Sequence, residues 1–259
     1  MSENIPVVIL CGGMGTRLAE YSEIRPKPLV EIGGRPILWH IMKHYAGYGF
    51  KEFILALGYK GEQIKRYFLD FHTLNQDLTV TLGDGTRQNI KYNNMEDWKV
   101  HLVDTGQNTM TGDRLKRLAF MINQKSFMMT YGDGVSDVNL DALLKFHQNN
   151  KGLVTLTAVR PPARFGALEF EGNKIRHFKE KSVLHEGWIN GGFFVINSNA
   201  LDYIKGDVMW EHAPMERLAE EGNLNAYKHE GFWQCMDMPR DLKYLESLWE
   251  SGTPPWKTW

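Results

Sequence analysis

Cysteine is nearly absent from this chain, and the two that occur, Cys11 and Cys235, cannot build a disulfide framework. They also lack the spacing of a zinc ligand set. A surplus of either charge is missing too: 30 basic against 31 acidic residues leave a net charge of −1, so no field points to nucleic acid or a membrane surface. No apolar run approaches the ~18 residues of a spanning helix. Met1-Ser2-Glu3-Asn4 has neither the basic start nor the apolar stretch of a signal peptide. Repeats, low-complexity tracts and linkers are lacking as well. These absences predict a protein of the reduced cytosol, with no nucleic-acid or membrane partner. An apolar content of 42% and a charged content of 24% are those of a globular chain. Its 259 residues suffice for one large α/β domain or two small ones.

The chain is organised around its opening. Val7-Val8-Ile9-Leu10 is a continuous aliphatic run of the kind buried in parallel sheets, and it breaks into Gly12, Gly13 and Gly15. Glycines at that point permit positive φ and let backbone N–H groups close on an oxyanion. Arg17 and Lys27, the latter within Arg25-Pro26-Lys27-Pro28, supply the fixed positive charge a triphosphate needs. An isolated glycine-rich loop is as often an ordinary strand-to-helix turn; the nearby arginine and the Pro-Lys-Pro make the phosphate role the better account.

Beyond the loop, Ile37, Leu38, Ile41, Met42 and Tyr45 recur at helical spacing behind Pro36, which suits a first helical position. Phe53–Leu57 reads as a second buried strand and Glu62–Phe71 as a second helix. Strand–helix alternation predicts a parallel sheet with covering helices. Residues 72–100 form an excursion, with strands at 78–82 and 100–103 around a polar stretch, suited to a subunit contact or a mobile lid. Thr111 is a good N-cap for a helix running through Asn123 that buries Leu115, Leu118 and Ile122. Strands at 127–131 and 153–160 follow, with a helix at 141–149 between them. Short strand-like segments from Phe165 to Ile196 predict a mixed sheet and a second lobe. A helix at 214–221, strands at 224–228 and 231–235 and a last helix from Pro239 complete the chain. The tail Pro254–Trp259, with two tryptophans, is expected to dock.

Ligands of open parallel sheets bind at the strand ends, and four loops there carry chemistry. The opening loop is the first. Tyr131-Gly132-Asp133-Gly134 places an acid at the end of a buried strand; alone it is equally an Asp-Gly turn, but a carboxylate there suits Mg²⁺. Phe178-Lys179-Glu180-Lys181, with Asn190-Gly191-Gly192-Phe193, offers a phosphate-binding ammonium and groups that partner hydroxyls, although Lys-Glu-Lys in isolation is more often a solvated charge run. Asp237 lies just ahead of a Pro-initiated helix, where it could complement the helix dipole or act as a second metal carboxylate. Weight comes from their order along one chain.

Leu10–Leu18 with Pro26-Lys27-Pro28 resembles the opening motif of the sugar-1-phosphate nucleotidyltransferases, with Cys11 where that motif usually has alanine. Further stretches narrow the resemblance to the branch that takes CTP and glucose 1-phosphate: Trp39–Lys43, Asp104-Thr105-Gly106, Thr111–Arg117, Arg164–Leu168, Asn190–Phe194 and the Trp-Lys-Thr-Trp tail. It runs from the first strand to the C-terminus and is weakest over 70–100 and 140–160.

The resemblance implies a single Rossmann-like α/β domain, a mixed and mostly parallel sheet with helices on both faces. Residues 1–135 would form its nucleotide-binding half and 136–259 its sugar-phosphate-binding half. It further implies that backbone around Leu10, Gly12, Gly13, Gly15 and Thr16 holds the nucleotide while Arg17 grips the departing pyrophosphate. Lys27 would neutralise the reacting α-phosphate, Asp133 and Asp237 hold Mg²⁺, Lys181 bind the sugar phosphate, and Glu180 and Asn190 the glucose hydroxyls. Arg114 is expected to contact phosphate. The reaction expected is attack of glucose 1-phosphate on CTP, giving CDP-glucose and pyrophosphate, by a homo-oligomer. The attacking oxygen is already anionic, so no general base is needed, in keeping with the lack of a Ser-His-Asp or Cys-His set. Cytosine differs from uracil by an amino donor that a carboxylate can accept, which makes Asp104 the candidate base reader. Alternatives are a uridylyl-, thymidylyl- or guanylyltransferase, or a nucleotide-sugar sensor that has lost catalysis, although Arg17, Lys27, Asp133 and Asp237 are all present. A dinucleotide-binding dehydrogenase is disfavoured, since Gly12-Gly13-Met14-Gly15 lacks the G-x-G-x-x-G spacing.

Overall fold

In a computed structural model, the described residues are 5–13, 25–89, 96–161, 167–171, 174–179 and 187–259. The expected contributions of Gly15, Thr16, Arg17, Glu180 and Lys181 therefore lie outside them. Seven strands make the central sheet: β1 (Val7–Cys11), β2 (Glu52–Leu57), β3 (Lys99–Asp104), β4 (Ser126–Tyr131), β5 (Val154–Val159), β6 (Ile189–Asn197) and β7 (Leu224–His229). Their spatial order is β7-β5-β6-β4-β1-β2-β3. All neighbours pair in parallel except β6, which is antiparallel to both β4 and β5. The mixed sheet is thus as expected. Strand β6, however, belongs to the centre of this sheet, while the hairpin Ala167–Glu171/Lys174–Lys179 stands apart from it. Within the 72–100 excursion, Leu78–Val80 and Arg87–Asn89 pair as a separate hairpin, and the chain then returns to supply β3 as an edge strand.

The apolar runs are continuous because both faces of the sheet are covered. Val7, Ile9 and Cys11 enter one core with Leu55, Met128, Phe193 and Val195, while Val8 and Leu10 enter the other with Ile54, Met129, Phe194 and Ile196. Each such buried aliphatic contributes roughly 1.5–3 kcal/mol. The first core is roofed by α1 (Ile37–Gly47), α2 (Gly61–Leu69), α4 (Leu140–Asn149) and α6 (Pro239–Glu250). The second is roofed by α3 (Thr111–Arg117) and α5 (Ala213–Glu220). Helix α3 is shorter than its spacing predicts: it ends at Arg117 and a 3₁₀ turn, Ala119–Met121, carries the apolar face on to Ile122. Thr111 is not its N-cap. Its hydroxyl instead accepts from Trp210 N–H and donates to Glu211. Among the described residues, no helix is long and apolar enough to cross a membrane.

The C-terminal tail docks as expected. Trp256 is fully buried, stacked on Phe232 and Trp249. Two buried histidines of α1 hold this tail. His40 Nε2 donates to the Ile32 carbonyl at 2.9 Å, so its Nδ1 is left to accept from the Trp256 indole N–H at 3.4 Å. His44 repeats the pattern, with Nε2 on the Val138 carbonyl at 3.0 Å and Nδ1 on the Thr258 hydroxyl at 3.0 Å. Both rings therefore work as the neutral Nε2–H tautomer. Burial pulls both pKa values down to about 4.

Candidate active site

The parallel strands β1, β2, β3 and β4 end on one edge of the sheet, with Cys11, Leu57 and Asp104 in register and Leu10 opposite Tyr131. Because β6 runs the other way, it is the start of that strand, Asn190 and Gly192, that reaches this edge. A cavity of about 310 Å³ opens here between Gly12, Gly13, Lys27, Thr111, Arg114, Tyr131 and Asp133, with Met110 and Met209 on its apolar wall.

Lys27 is delivered by a rigid segment. Pro26 and Pro28 flank it, Leu29 N–H bonds the Pro26 carbonyl at 2.8 Å, and Pro28 and Leu29 are buried. Two carboxylates from distant parts of the chain meet its ammonium. Asp133 follows β4, whose continuation Gly134–Ser136 pairs antiparallel with Trp233–Cys235. That pairing brings Asp237 alongside, and Met236 N–H closes on the Asp133 carbonyl at 2.8 Å. Lys27 Nζ then donates to Asp133 Oδ2 at 2.6 Å and to Asp237 Oδ1 at 2.5 Å. Burial alone would lower the lysine pKa, but the two carboxylates outweigh it and hold it above its ordinary value. Asp237 is spared the capping duty that its position also suits. Asp241 Oδ2 accepts from the backbone N–H groups of both Asp237 and Met238 at the start of α6.

Gly12, just past the end of β1, rests on an unexpected support. Arg114, 4% exposed, aims its guanidinium beneath Gly12 and donates to the carbonyls of Gly12, Leu57, Gly106 and Gln107 and to the Thr105 hydroxyl. Its Nη atoms are thus committed to the ends of β1, β2 and β3 in the geometry where a phosphate contact was expected. Burial first, and then Arg117, lower its pKa. A Cβ on Gly12 would fall 2.3 Å from Arg114 Cζ, and one on Gly58 2.4 Å from Nη1. Gly12 is therefore needed for the arginine beneath it, whereas a Cβ on Gly13 would meet open space.

Asp104 is exposed and lies outside the residues lining the cavity, with Oδ1 accepting from Gly106 N–H at 2.9 Å. Asn190 is held by its own turn, Oδ1 accepting from Gly192 N–H at 2.9 Å, and its Nδ2 lies 3.5 Å from the Tyr131 hydroxyl. Gly192 has φ +79° and lies against the Tyr131 ring, so a side chain is excluded twice over. Tyr131 in turn donates to Glu211 Oε1, and Glu211 Oε2 accepts from Thr111 at 2.6 Å. Burial and Glu211 push the Tyr131 phenol far above its ordinary pKa, so it stays a donor. Glu211 thereby ties the Thr111 wall of the cavity to the Asn190 edge. Sequence reasoning missed it because nothing near it in the chain marks it out. Tyr131, adjacent to the Gly-Asp-Gly, could have been found.

A cavity whose rim holds a lysine between two aspartates, beneath a glycine loop, is suited to two polyanions and a hard cation. The model of the family described as nucleotidyl transferase matches residues 6–250. The chain belongs to that family. Glucose-1-phosphate cytidylyltransferase of Salmonella typhi is 49% identical over 97% of this chain and 98% of its own. A protein of Bacillus subtilis described as a probable glucose-1-phosphate cytidylyltransferase is 42% identical over 97% and 99%. Among solved structures, UDP-glucose pyrophosphorylase from Acinetobacter baumanii superposes with a TM-score of 0.70 over 98% of this chain and 96% of its own, at 14% identity, a likeness of fold. The mixed, mostly parallel sheet with helices on both faces is the nucleotidyltransferase fold.

Proposed function

We propose that this nucleotidyltransferase takes CTP and α-D-glucose 1-phosphate and makes CDP-glucose and pyrophosphate. The observation that carries the proposal is the meeting of Lys27, Asp133 and Asp237 at the rim of the loop cavity. The near full-length likeness to a glucose-1-phosphate cytidylyltransferase and to a second protein described as a probable one supports the choice of substrates. A sugar-phosphate oxygen attacks the α-phosphorus in line and pyrophosphate leaves opposite. That oxygen is anionic at neutral pH, so the protein's task is to hold two polyanions together and neutralise the charge that develops.

Each group has a part in this. The loop at Leu10, Gly12, Gly13, Gly15 and Thr16 seats the nucleotide, Arg17 holds the departing phosphates, and Lys27 reaches the α-phosphate. Asp133 and Asp237 fit Mg²⁺, a hard ion usually held by one or two carboxylates plus substrate phosphates. When bound, that ion supplies Lewis-acid polarisation of phosphoryl oxygens. Lys181 takes the sugar phosphate, Glu180 and Asn190 take the glucose hydroxyls, and Glu211 positions Tyr131 and Asn190. Arg114 acts on the nucleotide through the loop it supports. With Asp104 Oδ1 given to Gly106, Oδ2 is the oxygen that would accept the cytosine amino group.

The test is a matrix of the four nucleoside triphosphates against glucose, mannose and galactose 1-phosphates with Mg²⁺, scoring pyrophosphate release. Turnover with CTP and glucose 1-phosphate is expected. Turnover confined to UTP would overturn the cytidylyl assignment, and none with any pair the enzyme assignment. An Asp104→Asn variant that keeps the wild-type preference for CTP over UTP would remove Asp104 as base reader.

A further inference from the structure

Lys27 holds the two carboxylates that suit a metal ion. Its Nζ touches one oxygen of Asp133 at 2.6 Å and one of Asp237 at 2.5 Å, the carboxylates that would hold Mg²⁺. An ion held by that pair would draw on the oxygens the ammonium already holds, so the two cations compete for them. The lysine cannot back away with its main chain, because Pro26, Pro28 and the 3₁₀ turn fix the backbone on either side. Only a swing of the side chain takes the ammonium off these oxygens, and the swinging ammonium then needs another anion.

We propose that Lys27 is the resident cation of the nucleotide-free protein, that it keeps divalent ions off Asp133 and Asp237, and that the α-phosphate of an arriving nucleotide draws it away. The metal therefore enters with the nucleotide or after it. One group serves the two states in turn, as counter-ion to the carboxylates before binding and as phosphate ligand after it. Nucleotide and metal become thermodynamically linked through the side chain, each favouring the other by the same factor. This rests on the assignment of Asp133 and Asp237 as the metal pair and goes beyond it.

The probe is Mn²⁺ alone, titrated into the nucleotide-free protein and followed by the paramagnetic resonance of the free ion, with no turnover involved. Lys27→Met is expected to bind Mn²⁺ at least ~10-fold more tightly than wild type, within the range usual for coupled sites. Adding Asp237→Asn to that variant should cancel the gain. In wild type, CMP should tighten Mn²⁺ binding and cytidine should not, and the CMP effect should shrink in Lys27→Met. The wild-type comparison needs no variant, and Lys27→Gln replaces Lys27→Met if the latter does not fold. If Lys27→Met leaves Mn²⁺ affinity unchanged while Asp237→Asn weakens it, exclusion by the lysine is refuted and the metal pair stands. If Asp237→Asn alters Mn²⁺ binding in neither background, the metal pair falls and exclusion with it.

Discussion

Acidification should loosen the C-terminal tail through His40 and His44 before it reaches most of the carboxylates. In the folded chain both rings are neutral, each giving one N–H to a backbone carbonyl and accepting from the tail at Nδ1. A proton on Nδ1 would face the Trp256 indole N–H donor at His40, and would cost His44 its acceptor for the Thr258 hydroxyl. Burial is the larger cause of the depressed pKa values. Arg35 and Lys257 add to it around His40 and His229 around His44, while Asp137 opposes it at His44. The folded values, about 4, lie below the ordinary 6.5, so their stabilising contribution is whole above pH 6.5 and is lost as pH falls toward 4. At pH 5 each ring costs on the order of 2 kcal/mol relative to pH 7.5, and the pair about 4 kcal/mol. That is a large part of the ~5–15 kcal/mol holding a typical domain. Urea unfolding at the two pH values, followed by tryptophan fluorescence, measures it. A His40→Gln/His44→Gln variant should be less stable at pH 7.5 yet lose markedly less on going to pH 5. Equal losses in wild type and variant would refute the assignment of the pH dependence to these rings.

Other outcomes follow from the site. Asp133→Asn and Asp237→Asn should each lower kcat by ~10²–10³, the usual cost of one transition-state electrostatic group, with the near-ultraviolet circular dichroism of wild type retained. Gly58→Ala should be destabilising because its Cβ meets Arg114, and Arg114→Ala, which orphans carbonyls, should cost on the order of 3 kcal/mol. The double variant should fall short of their sum in denaturant titrations, since the clash and the clasp share one guanidinium. Glu211→Ala should raise the KM of both substrates, and Glu211→Gln, which still accepts from Tyr131, should recover part of the loss; a change for one substrate alone would contradict the bridging role.

The order of elements was legible in the sequence because both faces of the sheet are covered: runs such as Val7–Leu10 and Phe53–Leu57 have no polar side to confuse them. Asp133 was legible as a lone acid between glycines at a strand end. Its partnership with Asp237 was not legible, since it depends on Gly134–Ser136 pairing with Trp233–Cys235 across a hundred residues of chain. Thr111 misled because an N-cap threonine and a threonine bonded to Glu211 look identical in one dimension. Gly12 was the subtler case. A glycine in a phosphate loop and a glycine above a buried arginine leave the same letter, and only Arg114 beneath it tells them apart.

The Arg114 clasp also bears on the order in which the chain can mature during synthesis. Gly12, Leu57 and Gly106 all leave the ribosome before the residue that fastens them. The first strand and Gly12 are thus made well before they can take final form, since β1 must also wait for β4 on its flank. A nascent chain arrested ahead of residue 114 would carry Gly12 without its floor and should not retain nucleotide. One extended through β4 holds every strand that the floor requires.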